Sequence, residues 1–208
     1  MSSVTIIDYG SGNLHSIAKA VEHVAINETV IVSDKAEDIA KADRIILPGV
    51  GAFGDCIRGL SKHPDIIETL QEAVIKKERP FLGICVGMQM LADVGLEHGA
   101  HHGLGWFHGE VVPIPSDGTL KIPHMGWNQL DFVNAEHPIL SNINNGDHAY
   151  FVHSYHFECK DKKQIIATTH YGKNLAAIIA KDHMVATQFH PEKSQKTGLT
   201  LLHNFLQI

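Results

Sequence analysis

The chain has 208 residues, of which 44% are hydrophobic and 19% charged, with a formal net charge of −6, a balance that fits one globular domain with a sizeable core. The acidic balance and the lack of lysine- and arginine-rich blocks speak against a nucleic-acid partner, and apolar runs such as Leu175–Ala180 fall far short of the roughly 20 residues a membrane span needs. Three widely spaced cysteines (Cys56, Cys85, Cys159) and an N-terminus with no basic-then-apolar leader point to a reduced, cytoplasmic setting.

In chain order, the first ninety residues alternate between two periods. The runs 4–9, 28–33, 44–48 and 80–85 are short, β-branched and bounded by Gly, Pro, Ser or Asp, so they predict strands. Helical patterns lie between them. The clearest spans Pro64–Lys77, with Ile66, Ile67, Leu70, Ala73 and Val74 on one face, Pro64 where a helix can begin, and Lys76 and Lys77 at its negative end. Strands alternating with helices imply a parallel sheet covered on both faces. From about Gly105 successive strands follow instead, over 109–114, 124–132, 149–159, 164–171 and 176–190, with turns at Asp117-Gly118 and Asn145-Gly146-Asp147. These are expected to extend the same sheet as mixed or antiparallel strands. A last helix begins near Ser194, a good cap, and turns Leu199, Leu202, Phe205 and Leu206 inward. The predicted fold is a single α/β domain over residues 1–208, built on a central, mostly parallel sheet of flavodoxin-like type.

The glycines Gly49, Gly51 and Gly54 match the spacing of a dinucleotide-binding loop. That reading needs the first βα turn and an acidic residue closing the next strand. Here the loop follows the third predicted strand, Glu68 and Glu72 lie within a helix, and the next strand ends in Cys85. No cofactor is expected. Four histidines, His98, His101, His102 and His108, crowd one segment, but their spacing fits no closed ligand set and no cysteine joins them, so no metal is expected either. Glycines have another use: they leave backbone N–H groups clear to meet an oxyanion.

A nucleophile follows. Gly83-x-Cys85-x-Gly87 sits between a strand and a helix, the nucleophile-elbow pattern with cysteine in place of serine. The helix start over Val86–Gln89 offers the positive end of a dipole to a thiolate, and the Val86 N–H is free for an oxyanion. Among sixteen histidines, His190 is singled out because it ends an apolar strand, Pro191 fixes the turn after it, and Glu192 can curl back onto the imidazole. Cys85, His190 and Glu192 thus form a candidate Cys–His–Glu triad in which the acid orients the base.

With these residues the chain resembles the class I (triad-type) glutamine amidotransferases. The matching runs cover nearly the whole chain: 8–16, 47–55, 83–91, 123–128, 150–155 and 188–194. Pro48-Gly49-Val50-Gly51 and His124-Met125-Gly126-Trp127-Asn128 point to the branch that serves histidine biosynthesis. The resemblance implies that Cys85 attacks the side-chain amide of L-glutamine, and that Val86 with Val50 or Gly51 meets the oxyanion. It also implies that Gly49, Gly51, Gln89 and the backbone of Ser154 and Tyr155 hold the amino-acid end. The implied partner is a (β/α)8-barrel cyclase, in a heterodimer, that receives ammonia and adds it to a ribulosyl aminoimidazole nucleotide. Met125, Trp127, Asn128, Tyr150 and Lys193 would face it. The alternatives are a core aromatic for Trp127 and a solvated charge for Lys193. Activity is expected to be low alone and to rise with partner and nucleotide. Trp106 and Phe107 stand where the family pattern leads one to expect smaller aliphatics. The rivals are another class I subunit, such as that of anthranilate synthesis, which would carry a Pro-Gly-Pro-Gly loop, or a cysteine hydrolase on a similar sheet.

Overall fold

The computed structural model describes residues 2–116 and 118–208, so the predicted turn at Asp117 lies outside the described residues. The first half builds as its periodicities dictate: β1 (Ser3–Ile7), α1 (Leu14–Val24), β2 (Thr29–Ser33), α2 (Ala36–Lys41), β3 (Arg44–Gly49), α3 (Phe53–Ser61), α4 (Pro64–Leu70) and β4 (Phe81–Cys85). These strands are parallel, in the order β2-β1-β3-β4. The chain moves one way from β1 to β2 and the other way from β2 to β3 and on to β4. Right-handed crossovers then place α1 on one face and α2, α3 and α4 on the other. The contacts agree, with α2 packing on α4, α4 on α3, and α1 on the C-terminal helix Gln195–Gln207.

The helix predicted over Pro64–Lys77 starts with Pro64 in its first turn, but it does not stay α-helical. Its end widens into a π-helical segment, Gln71–Lys76. The wider turn keeps Ala73 and Val74 buried while Lys76 and Lys77 both reach Glu72, at 2.9 and 3.6 Å.

In the second half the expectation of one extended sheet needs correction. Met184–Thr187 joins the main sheet parallel to β4, and Lys173–Lys181, Ile165–Tyr171 and Asp131–Phe132 continue it antiparallel, giving eight strands. The remaining runs form two separate small sheets. One pairs His124–Gln129 with His148–His153; the other joins Tyr155–Cys159, Gly109–Pro113, Val94–Gly95 and His101–His102. The cause is Ser154. Residues 149–159 look like one strand, but the pairing breaks at this residue. Ala149, Phe151 and His153 face inward on one side of it, and His156, Phe157 and Cys159 are buried on the other. The run 176–190 likewise folds back at Asp182-His183 into two strands.

The core is continuous across the main sheet and both helical layers. Full burial of phenylalanines such as Phe53, Phe81, Phe107 and Phe189 contributes roughly 1.5–3 kcal/mol each. Trp106 and Phe107 belong to this core, Trp106 packing edge-on against Phe81 with ring centroids 5.2 Å apart. Among the described residues no helix is long and apolar enough to cross a membrane.

Candidate active site

In a doubly wound sheet the crevice opens at the carboxyl ends of the strands, where neighbouring crossovers leave in opposite directions. Here that point lies between β1 and β3. A cavity of about 640 Å³ occupies it, lined by Gly12 and Asn13 after β1, Val50 and Gly51 after β3, Cys85 at the end of β4 with Val86 next to it, and His190 beyond Met184–Thr187. Strands distant in sequence therefore deliver their last residues to one rim.

Cys85 ends β4 in register with Gly49 of β3. Its backbone is turned sharply, with φ 55° and ψ −110°, and the helix Val86–Gln89 starts at once. That turn is possible because the elbow crosses β3 without a side chain in between: a Cβ on Gly87 would lie 2.0 Å from the Leu47 carbonyl oxygen. Val86, in the first helical turn, carries an N–H with no intrahelical acceptor.

His190 is pinned from three directions. Its backbone N–H donates to the Tyr150 carbonyl at 3.0 Å, and its carbonyl accepts the Ser194 hydroxyl at 2.7 Å. The turn Pro191–Lys193 brings Glu192 Oε1 to 2.9 Å from Nδ1, with both side chains buried. Burial alone would lower the imidazole pKa. The Cys85 sulfur and the Glu192 carboxylate outweigh it and hold His190 well above its ordinary value, at about 10. An imidazolium held by a carboxylate beside a cysteine sulfur is the charge arrangement a thiolate nucleophile requires. Ser194 differs from expectation here. It stands at the start of the last helix, yet its hydroxyl makes no cap. It accepts the Tyr150 N–H instead, at 2.9 Å, and donates to His190, because those buried backbone groups need partners.

The other expected contacts gather around the same cavity. Gly51, Gln89, Ser154 and Tyr155 line it. The Gln89 amide nitrogen donates to the Tyr155 carbonyl and to Gln188 Oε1, both at 3.0 Å. Gly49 is buried in β3, in register with Cys85. Gly51, at φ 100°, occupies backbone space that favours glycine. The Val50 carbonyl is held by the Ser11 hydroxyl at 2.7 Å and the Cys56 thiol at 3.4 Å, and the Val50 N–H makes a long contact, 3.5 Å, to the same hydroxyl.

Two residues lacked a role in the sequence reading. Gln188 places its amide nitrogen 3.8 Å from Cys85 Sγ. Glu97 lines the cavity and accepts the Phe53 N–H at 2.7 Å. Gln188 lies two residues before His190, a spacing that puts both on the same side of an extended chain; for Glu97 no local signal exists.

Trp127, 48% exposed, and Met125, 62% exposed, stand out from the strand His124–Gln129, so Trp127 is not a core aromatic. Tyr150 is the cross-strand partner of Trp127, with edge-on rings 5.9 Å apart, and the exposed Lys193 ammonium sits 6.0 Å from the Tyr150 ring centroid. Asn128 is half-buried beside them. In the histidine-rich segment, His101 packs against Gly54 and His108 Nδ1 pairs with Asp93 at 3.1 Å.

The family profile described as "Glutamine amidotransferase class-I" matches residues 5–208. The chain is 56% identical to the imidazole glycerol phosphate synthase subunit HisH of Cereibacter sphaeroides, covering 97% of this chain and 96% of that one. It is 52% identical to the same subunit of Rhodospirillum rubrum, over 98% of each. Among solved structures, PurLQS from Thermotoga maritima superposes with a TM-score of 0.74 at 17% identity, covering 99% of this chain and 98% of that one. The glutaminase domain of Trypanosoma brucei CTPS superposes at 0.69 and 14% identity, covering 100% and 94%. At those identities the structures speak to the fold alone.

Proposed function

The chain belongs to the class I glutamine amidotransferases, and from that premise we propose that it is the glutaminase subunit of imidazole glycerol phosphate synthase, hydrolysing L-glutamine and passing ammonia to a cyclase in histidine biosynthesis. The observation that carries the chemistry is the buried His190–Glu192 pair on the cavity rim that also holds the strained Cys85. The Cys85 thiolate adds to the side-chain carboxamide carbon, and the carbonyl electron pair moves to oxygen. The Val86 N–H meets that oxyanion, with a second donor from Val50 or Gly51; losing one such donor costs roughly 3 kcal/mol in comparable sites. In the resting structure the Val50 N–H is turned toward Ser11, so turning it into the cavity is the step a partner controls. His190 gives its proton to the departing ammonia, the C–N bond breaks, and a γ-glutamyl thioester remains. His190 then takes a proton from water, which attacks the thioester and releases glutamate.

Gly49, Gly51, Gln89 and the Ser154–Tyr155 backbone hold the amino-acid end. Glu97 supplies the carboxylate that an α-ammonium group needs. Ammonia loses its nucleophilicity once protonated, so direct transfer favours a partner docked over the cavity. The reading assigns docking, in a heterodimer with a (β/α)8-barrel cyclase, to Met125, Trp127, Asn128, Tyr150 and Lys193, an aromatic and cationic patch of the kind that anchors interfaces. The test is a glutaminase assay on the chain alone and with the cyclase and its nucleotide, together with Cys85→Ala. Glutamine use should rise steeply with the partner and vanish in the variant, while ammonia-dependent synthesis by the complex persists. Glutamine turnover surviving in Cys85→Ala would refute the mechanism.

A further inference from the structure

Among the described residues, buried histidines do not all make hydrogen bonds. His156 is 2% exposed, yet both of its ring nitrogens lack a hydrogen bond. His124 and His153, also buried, differ: every ring nitrogen of the two is engaged. They face each other across the antiparallel pair His124–Gln129 and His148–His153. His153 Nδ1 lies 2.8 Å from the Tyr155 carbonyl oxygen, His124 Nδ1 lies 2.9 Å from His153 Nε2, and Asn128 Nδ2 lies 3.2 Å from His124 Nε2.

Only one neutral arrangement satisfies this chain. A carbonyl oxygen can only accept, so His153 carries its proton on Nδ1 and accepts on Nε2. His124 must then donate from Nδ1 and accept on Nε2 from the Asn128 amide. That amide orientation is consistent, because Asn128 Nδ2 also donates to the His170 carbonyl at 2.9 Å and its oxygen accepts the Gln129 N–H at 2.9 Å. The His124 ring cannot swing away. It is stacked between Phe151 and Tyr171, with centroids 4.8 and 4.1 Å away. At the far end, the Tyr155 carbonyl that receives the His153 proton also receives the Gln89 amide at 3.0 Å. His153 itself lines the cavity.

Resting on the glutaminase reading above, we propose that His124 and His153 are positioning residues. Their single-tautomer pair fixes the Tyr155 carbonyl against which Gln89 is aligned, and ties that glutamine subsite to Asn128 on the strand carrying Met125 and Trp127. Neither ring enters the covalent chemistry. A disturbance of the exposed strand shifts one donor and reaches the substrate wall through two rigid rings rather than through a flexible loop.

The experiment compares two variants in the complex with the cyclase. His124→Phe keeps the stacked ring and removes both nitrogens. His124→Asn puts an amide N–H where Nδ1 was and restores donation to His153. The KM for glutamine should rise about tenfold in His124→Phe, the effect of one lost buried hydrogen bond, with kcat within about twofold, and His124→Asn should recover most of it. A ring with only a packing role would leave KM alone and move the melting temperature. If His124→Phe fails to fold, ring-nitrogen NMR on the unaltered chain decides: both histidines should show protonated Nδ1 and bare Nε2. A folded His124→Phe with unchanged KM, or a proton on Nε2 of either ring, overturns the proposal. An unaltered complex that does not hydrolyse glutamine at all brings down the glutaminase reading first, and this inference with it.

Discussion

The backbone of Cys85 invites a test in which glycine at this position makes the protein more stable than alanine does. At φ 55° and ψ −110° the residue lies outside even the left-handed helical well that non-glycine residues visit. Such positions cost about 1–3 kcal/mol, and one with both angles unfavourable belongs at the upper end. Cys85→Ala removes the sulfur and keeps the strain; Cys85→Gly removes both. Comparing the two variants with each other cancels whatever the thiol contributes through Gln188 and His190. Glycine gives back roughly 0.5–1 kcal/mol through its freer unfolded chain, and a buried methyl is worth about another 0.8 kcal/mol. The net advantage of glycine over alanine is then about 1–2 kcal/mol. For a domain of this size each kcal/mol moves Tm by roughly 2–4 °C, so Cys85→Gly should melt about 2–8 °C above Cys85→Ala. Calorimetry at pH 7 reads the difference, with glutamine hydrolysis absent from both. A glycine variant melting at or below the alanine variant would mean that the elbow stores no strain.

Replacing Glu192 by Gln keeps a hydrogen-bond acceptor beside His190 and removes the charge that helps hold the imidazole high. The His190 titration, followed by ring NMR, should fall from about 10 toward the ordinary range, and kcat should drop between about 10²- and 10⁴-fold; an unmoved titration would leave the carboxylate without its orienting role. Burial pushes the His153 imidazole down to about 3. This folded value lies below the unfolded one near 6.5, so the stability His153 allows is present above pH 6.5 and is lost as pH falls toward 3. Going from pH 7 to 5 should cost about 2 kcal/mol from this group, read from urea melts. His153→Asn should shrink the loss by that amount, and an equal loss in the variant would clear His153. Glu97→Gln should raise the KM for glutamine about ten- to hundredfold, as expected for a charge-assisted hydrogen bond, with kcat little changed; an unaltered KM would remove Glu97 from the subsite.

What could be read before any coordinates shares one physical property: it is local. The strand ending at Cys85, the glycines beside it and the turn that returns Glu192 to His190 are each fixed by neighbours within a few residues. Period and turn chemistry therefore found the parallel half of the sheet and picked out Cys85 and His190, which line one cavity, and Glu192, which bonds His190. The partition of the second half into three sheets was hidden because apolar content continues unbroken through Ser154, and nothing in residues 149–159 marks a change of partner strand. The π-helical end of α4 was hidden for a similar reason, since Ala73 and Val74 suit an α-helix equally well.

Glu97 shows most plainly where local reasoning stops. It lies among histidines and glycines with no local signal of a site, and at the cavity its carboxylate accepts the Phe53 N–H, 44 residues earlier. That N–H is one of the unpaired donors at the start of α3, and a carboxylate there is favoured by the helix dipole as well. One helix start thus serves two ends: its need for an acceptor anchors Glu97, and the anchored charge lines the cavity to which the proposed function assigns the substrate's ammonium group. If the anchoring matters, replacing the buried Phe53 by Pro should weaken glutamine binding in the same sense as Glu97→Gln, and beyond the effect of Phe53→Ala, which loses the same core ring but keeps the N–H. Combining the two changes should then add little, whereas full additivity in a double-mutant cycle would show that the carboxylate holds its place without the helix.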